Sequence, residues 1–139
     1  MPEESATPDL VELWQQWGDA AARGDLDTAM SMFATDSVWE VRPLGVTLSG
    51  REAIRGFAES WLADYEEYEH AMLEGRDLGN GVVFAVERQD ARLRGSPGTI
   101  HEQWAITVEW NARTIVRVTA MRNIDEARAA AERLAELRG

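Results

Sequence analysis

The chain contains no cysteine and no lysine, and all fourteen of its basic residues are arginine. Without cysteine it can form no disulfide and has no thiolate that could act as a nucleophile or bind a metal. Without lysine it cannot form a Schiff base with a substrate or with pyridoxal phosphate. Imine-forming aldolases and the usual pyridoxal phosphate enzymes are therefore excluded.

Long apolar runs and a positive charge are also missing. No apolar stretch approaches the roughly 20 residues of a membrane helix, and residues 1–8 lack the features of a secretory signal. We therefore expect a cytoplasmic protein with no membrane partner. The net charge of -11 would repel a phosphate backbone, so we also expect no nucleic-acid partner.

Motifs for cofactors and metals are absent as well. There is no GxSxG, no GxGxxG and no Walker loop, and we expect no cofactor. The two histidines, His70 and His101, do not form an HExxH pair, so we expect no metal site.

With 139 residues, of which 45% are apolar, the chain has room for one domain over residues 9–139. Residues 1–8 are predicted to be disordered.

The apolar periodicity changes along the chain from helical to extended. Helical spacing predicts helices from residue 8 to 23, from Asp25 to Asp36, from Arg51 to about Tyr65 and from Asp125 to Leu137. Alternation and turn residues predict strands over 37–42, 69–78, 82–93, 100–110 and 114–124. This pattern predicts an α+β fold.

The run from Gly24 to Phe57 reads GDLDTAMSMFATDSVWEVRPLGVTLSGREAIRGF and combines helix, helix, strand and helix. With the long strands that follow, it resembles the NTF2-like superfamily and its SnoaL-like branch, named for a polyketide cyclase. The resemblance implies a cone of three N-terminal helices packed on a curved, mostly antiparallel sheet, with an additional C-terminal helix. It also implies a pocket, but the family hosts many activities.

Strand alternation selects the side chains expected in that pocket. On the second long strand, the apolar residues that start the even-numbered set favour this set as the inward one, so Arg88 and Asp90 are candidates. Glu102 is a second carboxylate on the inward face of the next strand. We therefore predict Asp90, Arg88 and Glu102 as catalytic residues. The predicted ligand contacts are Trp14, Trp17, Trp39, Val41, Phe57, Trp61, Phe84, Trp104, Val118 and Ala120.

Arg88 and Asp90 admit two interpretations. An arginine beside a carboxylate can orient it for proton transfer, or the two can form a structural ion pair. The sequence Glu87-Arg88-Gln89-Asp90 is similar to the Glu-Arg-x-Asp strand of limonene-epoxide-hydrolase-like proteins, which implies a catalytic role for Arg88 and Asp90. The second aspartate of that family falls on Ala120, and its tyrosine and asparagine fall on Trp39 and Val41. The catalytic residue set of a standard epoxide hydrolase is therefore incomplete in this chain.

The histidines are predicted to lie outside the pocket. Alternation turns His101 away from the face of Glu102, towards the outer sheet face or a subunit interface. His70 follows the acidic run from Asp64 to Glu69, which is typical of a solvated face, and is expected to begin a strand.

Two functions from different classes remain. One is an enzyme that acts by acid–base chemistry on a small apolar carbonyl, enol or epoxide, of the isomerase, cyclase or hydrolase type. The other is a protein that binds a small hydrophobic molecule, or a dimeric scaffold, without catalysis. The outer sheet face predicts a homodimer. Its residues are Thr99, His101, Gln103, Ala105, Thr107, Ile115, Arg117, Thr119 and Met121.

Overall fold

The computed structural model describes residues 9–139, and the predicted disorder of residues 1–8 lies outside that part of the chain. The described helices are α1 (Leu10–Ala22), α2 (Leu26–Ser31), α3 (Arg51–Ala63) and α4 (Ile124–Arg138). The described strands are β1 (Phe33–Val41), β2 (Val46–Ser49), β3 (Tyr65–Gly79), β4 (Val82–Leu93), β5 (Ile100–Asn111) and β6 (Thr114–Met121).

The six strands form one sheet in the order β2, β1, β6, β5, β4, β3. Neighbouring strands are antiparallel except β1 and β6, which run parallel. Asn80 and Gly81, between β3 and β4, have φ angles of 57° and 79°. This left-handed backbone is what a two-residue turn between antiparallel strands requires. The predicted α+β class is confirmed.

Side-chain caps begin α1 and α2, two of the helices that cover the inner face of the sheet. Asp9 accepts a hydrogen bond from the backbone N–H of Glu12 at the start of α1. Asp25 does the same for Thr28 at the start of α2. These caps satisfy backbone donors that the first helical turn leaves free. They fix where α1 and α2 start, and therefore which side chains face the sheet.

Helices cover the inner face of the sheet and, over β4 and β5, its outer face as well. On the inner face, a large apolar core joins side chains of α1, α2 and α3 to β1, β4, β5 and β6. On the outer face, α4 packs a row of alanines against β4 and β5, and this second core contains Val82, Phe84, Val86, Ala105, Ala127, Ala131 and Ala135. A strand covered on both faces needs apolar residues at successive positions. That requirement explains the unbroken apolar run from Val82 to Val86.

The predicted inward face of β4 was wrong for this reason. Val83 and Ala85 belong to the inner core, whereas Phe84 lies under α4, with the guanidinium of Arg128 5.0 Å from its ring centre. Alternation could not be read from five apolar residues in a row. The face that begins with Val83 continues to Glu87 and Gln89, and the face of Phe84 continues to Arg88 and Asp90.

Several element boundaries also differ from the predicted ones. β1 begins at Phe33, because α2 ends at Ser31 rather than at Asp36. β3 begins at Tyr65 rather than at Glu69, so the acidic run is part of a strand. Its glutamates are exposed as predicted, but Tyr68 and His70 alternate with them and face inward.

Residues 9–139 form four α-helices. None of the helices in that range has both the length and the apolar composition of a membrane span.

Candidate functional site

A cavity of about 400 Å³ lies between the inner face of the sheet and helices α1 and α3. Its size is in the range of small-molecule sites. Eight of its lining residues are aromatic: Trp14, Trp17, Trp39, Phe57, Trp61, Tyr65, Tyr68 and Trp104. The cavity is therefore suited to a small, mainly apolar molecule.

Trp14, Trp17 and Trp39 form an indole wall beside the cavity, and helical spacing places the first two of them side by side. Trp14 and Trp17 are three residues apart on α1, so both point to the same side of the helix. Their rings stack with centroids 4.6 Å apart and an interplanar angle of 5°. Trp39 of β1 lies across both rings, at 6.2 Å from Trp14 and 5.3 Å from Trp17. The three indoles form one continuous surface beside the cavity.

A buried carboxylate interrupts the apolar wall. Glu87 is 3% exposed, and its Oε2 accepts a hydrogen bond of 2.5 Å from Nε1 of Trp14. Its Oε1 lies 3.1 Å from Nε2 of His70, close enough for an ion pair but poorly aligned for a hydrogen bond. A carboxylate this deeply buried requires partners of this kind. Glu87, His70 and Trp14 thus form one polar group within the cavity wall.

Opposing effects act on the pKa of His70. Burial of the ring lowers the pKa, because a charged imidazolium loses solvation. The hydrogen-bonding capacity and charge of Glu87, together with the charge of Asp19, outweigh burial and raise the pKa above its ordinary value of 6.5. Glu87 therefore favours the protonated form of the His70 ring more than water would.

Helix α1 approaches the His70 ring through a glycine. A Cβ atom placed on Gly18 would lie 2.6 Å from Cε1 and 3.1 Å from Nδ1 of His70. Real Cβ atoms do not make contacts this short, so only glycine fits here without a shift of the ring. A glycine inside a helix is unfavourable by about 1 kcal/mol relative to alanine. The close approach of α1 to His70 therefore explains why a glycine occupies position 18 of this helix.

A second polar group lies further along the same face of the sheet. Glu102 accepts a hydrogen bond of 3.3 Å from Nε1 of Trp104 and lies 3.4 Å from Arg122. The guanidinium of Arg122 also sits 4.8 Å from the centre of the Trp104 ring. Gln89 is the strand partner of Glu102 and lines the cavity with it. The Glu102 and Arg122 side chains are 35% and 47% exposed, so this group borders solvent.

Nine of the residues predicted for the site line the cavity. They are Trp14, Trp17, Trp39, Val41, Phe57, Trp61, Glu102, Trp104 and Ala120. The other four do not. Phe84 lies in the core under α4, Val118 is buried in the inner core, and Arg88 and Asp90 share the face of Phe84.

Arg88 and Asp90 form an ion pair on the outer side of the sheet. Oδ1 of Asp90 lies 3.1 Å from Nε of Arg88 and 2.5 Å from Nδ1 of His101, which faces outward as predicted. The contact with His101 lowers the pKa of Asp90; burial opposes this shift and the Arg88 contact adds to it. This arrangement corresponds to the structural interpretation of the pair.

Sequence reasoning missed Glu87 and His70. The alternation of Tyr68, His70 and Met72 with Glu67, Glu69 and Ala71 was the available signal for His70. The signal for Glu87 was weaker, because the residues that precede it on its own strand, Val82–Val86, are all apolar and do not alternate with polar residues. The two side chains meet diagonally across β3 and β4, where His70 pairs with Gln89 and Met72 with Glu87.

Within residues 9–139, no three side chains of histidine, cysteine, aspartate or glutamate are placed to hold a metal ion.

The family follows from a match over most of the chain. Residues 14–136 match the model of the SnoaL-like domain. The chain belongs to the SnoaL-like family. None of the curated proteins matches it.

Solved structures share the fold at low sequence identity. A protein from Catenulispora acidiphila DSM 44928 with a ketosteroid isomerase-like fold, in complex with trimethylamine, is 18% identical and superposes with a TM-score of 0.72. That match covers 90% of this chain and 93% of the other. A protein from Shewanella putrefaciens CN-32, described as a SnoaL-like polyketide cyclase, is 13% identical with a TM-score of 0.72, over 95% and 90% of the two chains.

A third similar structure is that of TerC, co-crystallised with polyporic acid. It is 13% identical with a TM-score of 0.70, and the match covers 88% of this chain and 97% of TerC. At such identities the similarity shows a common fold, which is NTF2-like.

Proposed function

We propose that this SnoaL-like protein binds a small, mainly apolar molecule in its aromatic cavity and acts on it by acid–base chemistry through His70 and Glu87. The observation that carries the proposal is the His70–Glu87 pair, which is buried in a mainly apolar wall. Buried polar groups are costly, and functional sites are where such groups with shifted pKa values collect.

The proposed chemistry is proton transfer at a carbon next to a carbonyl, or at the corresponding enol. Neutral His70 would take the proton, and the carboxylate of Glu87 would stabilise the imidazolium that forms. In the reverse direction the imidazolium returns a proton to the enol. The hydrogen bond from Trp14 holds Glu87 in place for this role.

The ligands of two similar structures support a small-molecule function. Trimethylamine and polyporic acid were each bound by proteins with this fold. Both facts concern those proteins, and they support the cavity as the place where this chain would hold its own ligand.

Proton exchange on a model ketone tests the proposal. We expect the protein to accelerate exchange of the α-protons of 2-tetralone in deuterium oxide, followed by NMR. His70→Asn should reduce the enzymatic rate by about 100-fold, the size of a general base contribution. Asp90→Asn is the matched control and should leave the rate within about twofold. The opposite result would favour the predicted Asp90 and Arg88 pair, which stays a prediction.

Binding without catalysis is the second candidate. It is favoured by one observation, namely that Trp14 and His70 already engage both oxygens of Glu87, as a purely structural polar group would. In that case 2-tetralone should raise the melting temperature without any exchange of its protons. A ligand at 100 times its Kd would stabilise the fold by about 2.7 kcal/mol.

We also propose a homodimer through the outer face of the sheet. Four of the residues predicted for that interface are buried: Ala105 packs under α4, Ile115 lies in the inner core, and Thr107 and Thr119 are 6% and 8% exposed. His101, Gln103 and Arg117 keep exposed surface. Light scattering at micromolar concentration should give twice the mass of the chain; a stable monomer would contradict the proposal.

A further inference from the structure

Two indole N–H groups in the described part of the chain are buried and have no acceptor. They are Nε1 of Trp17 and Nε1 of Trp110. Trp110 lies in the inner core at 1% exposure and does not line the cavity. Trp17, at 8% exposure, is a cavity-lining residue. Unpaired buried donors are uncommon and call for an explanation, and for Trp17 the cavity offers one.

The neighbouring indole shows how such a group is normally satisfied. Trp14 stacks on Trp17 with nearly parallel rings, and its N–H donates to Glu87. Glu87 also contacts His70, so both of its oxygens are engaged. No side chain or backbone oxygen within residues 9–139 takes the Trp17 donor.

The ring of His70, on β3, packs against the same turn of α1. Gly18 follows Trp17 in the chain, and the ring of His70 lies directly against it. Nε2 of His70 faces Glu87, and Nδ1 lies on the side of Gly18. Trp17 and His70 therefore both line the cavity, and the N–H of Trp17 has no acceptor within residues 9–139.

We propose that Trp17 Nε1, beside the ring of His70, forms a subsite for an acceptor oxygen of the ligand. This inference rests on the proposed function and specifies its ligand class: an aromatic or cyclic molecule with a carbonyl, enolate or phenolate oxygen. Such an oxygen would satisfy the orphan donor of Trp17 and would sit beside the group proposed to move protons. Pure hydrocarbons lack the acceptor, and an ammonium group would place donors against donors.

Two probe molecules together measure how much an acceptor oxygen contributes to binding. 2-Acetylnaphthalene and 2-ethylnaphthalene have the same ring system and the same chain length, and differ in one carbonyl oxygen. We expect the wild-type protein to bind the ketone about tenfold more tightly than the hydrocarbon, as measured by calorimetry or by tryptophan fluorescence. The ratio of the two Kd values is the readout, because changes in cavity size affect both probes.

Trp17→Phe should bring this ratio close to one, since phenylalanine keeps an aromatic ring but has no N–H. Trp110→Phe is a matched control, because it removes an unpaired buried indole N–H that does not line the cavity. It should leave the ratio at its wild-type value. Circular dichroism would verify that both variants fold.

The outcomes separate this inference from the proposed function. Equal binding of the two probes by the wild type, or an unchanged ratio in Trp17→Phe, would contradict the acceptor subsite alone. Failure of the wild type to bind either probe would contradict the proposed binding cavity itself. A ratio that falls equally in Trp110→Phe would show a global change of the core and would also overturn the role of Trp17.

Discussion

Glu87→Ala is expected to destabilise the fold by about 3–5 kcal/mol, the cost of removing one partner of a buried ion pair. The substitution leaves Nε1 of Trp14 without an acceptor and His70 without its counter-charge. It also leaves a space beside the indole wall. Urea unfolding monitored by tryptophan fluorescence would give the free energy of unfolding directly.

The same pair predicts how stability depends on pH. Because the pKa of His70 is higher in the folded protein than in the unfolded chain, the folded state binds the proton more tightly. The contribution of protonated His70 to the free energy of unfolding is complete below about pH 6.5. It is lost as the pH rises through the raised pKa that His70 has in the folded state. The free energy of unfolding should therefore fall with rising pH in this window, and the fall should vanish in Glu87→Gln.

Asp90→Asn serves as the control for both effects, because Asp90 is a carboxylate paired with a histidine on the surface. Its free energy of unfolding should stay within about 1 kcal/mol of the wild type, the usual range for exposed ion pairs. A loss in Glu87→Ala no larger than that of Asp90→Asn would show that the buried pair does not hold the fold together.

The fold was largely predictable because its signals are local. Turn residues such as Asn80 and Gly81 and the helical spacing of Trp14 and Trp17 act within a few residues, and they correctly indicated hairpins and an amphipathic helix. The inward face of β5 was also predictable, since Glu102, Trp104 and Ile106 alternate with more polar neighbours. These three side chains line the cavity.

The site was less predictable because it depends on contacts between distant elements. Whether Glu87 or Arg88 faces inward is decided by α4, which covers the outer face of β4 and makes both faces apolar. The pairing of Glu87 with His70 depends on the register between β3 and β4, and that with Trp14 on the docking of α1, 73 residues away in sequence. No local pattern contains this information.

Gly18→Ala is expected to be the second strongly disruptive substitution. The added methyl would meet Cε1 of His70 at 2.6 Å, and the ring is held on its other side by Glu87. Overpacking of this kind costs about 1–3 kcal/mol, which exceeds the gain of up to about 1 kcal/mol from replacing a helical glycine by alanine. We expect a net loss of stability by urea unfolding, and a slower α-proton exchange on 2-tetralone because His70 is displaced.

Gly56→Ala provides the matched control for this prediction. Gly56 also lies inside a helix, α3, but a Cβ placed there would meet nothing within 4 Å. It should therefore gain stability from the better helix propensity of alanine and keep its exchange rate. Combining Gly18→Ala with His70→Ala should remove the penalty, because the clashing ring is gone. If Gly18→Ala instead stabilised the protein as Gly56→Ala does, α1 would not be fixed against His70, and the geometry proposed for proton transfer would lose its support.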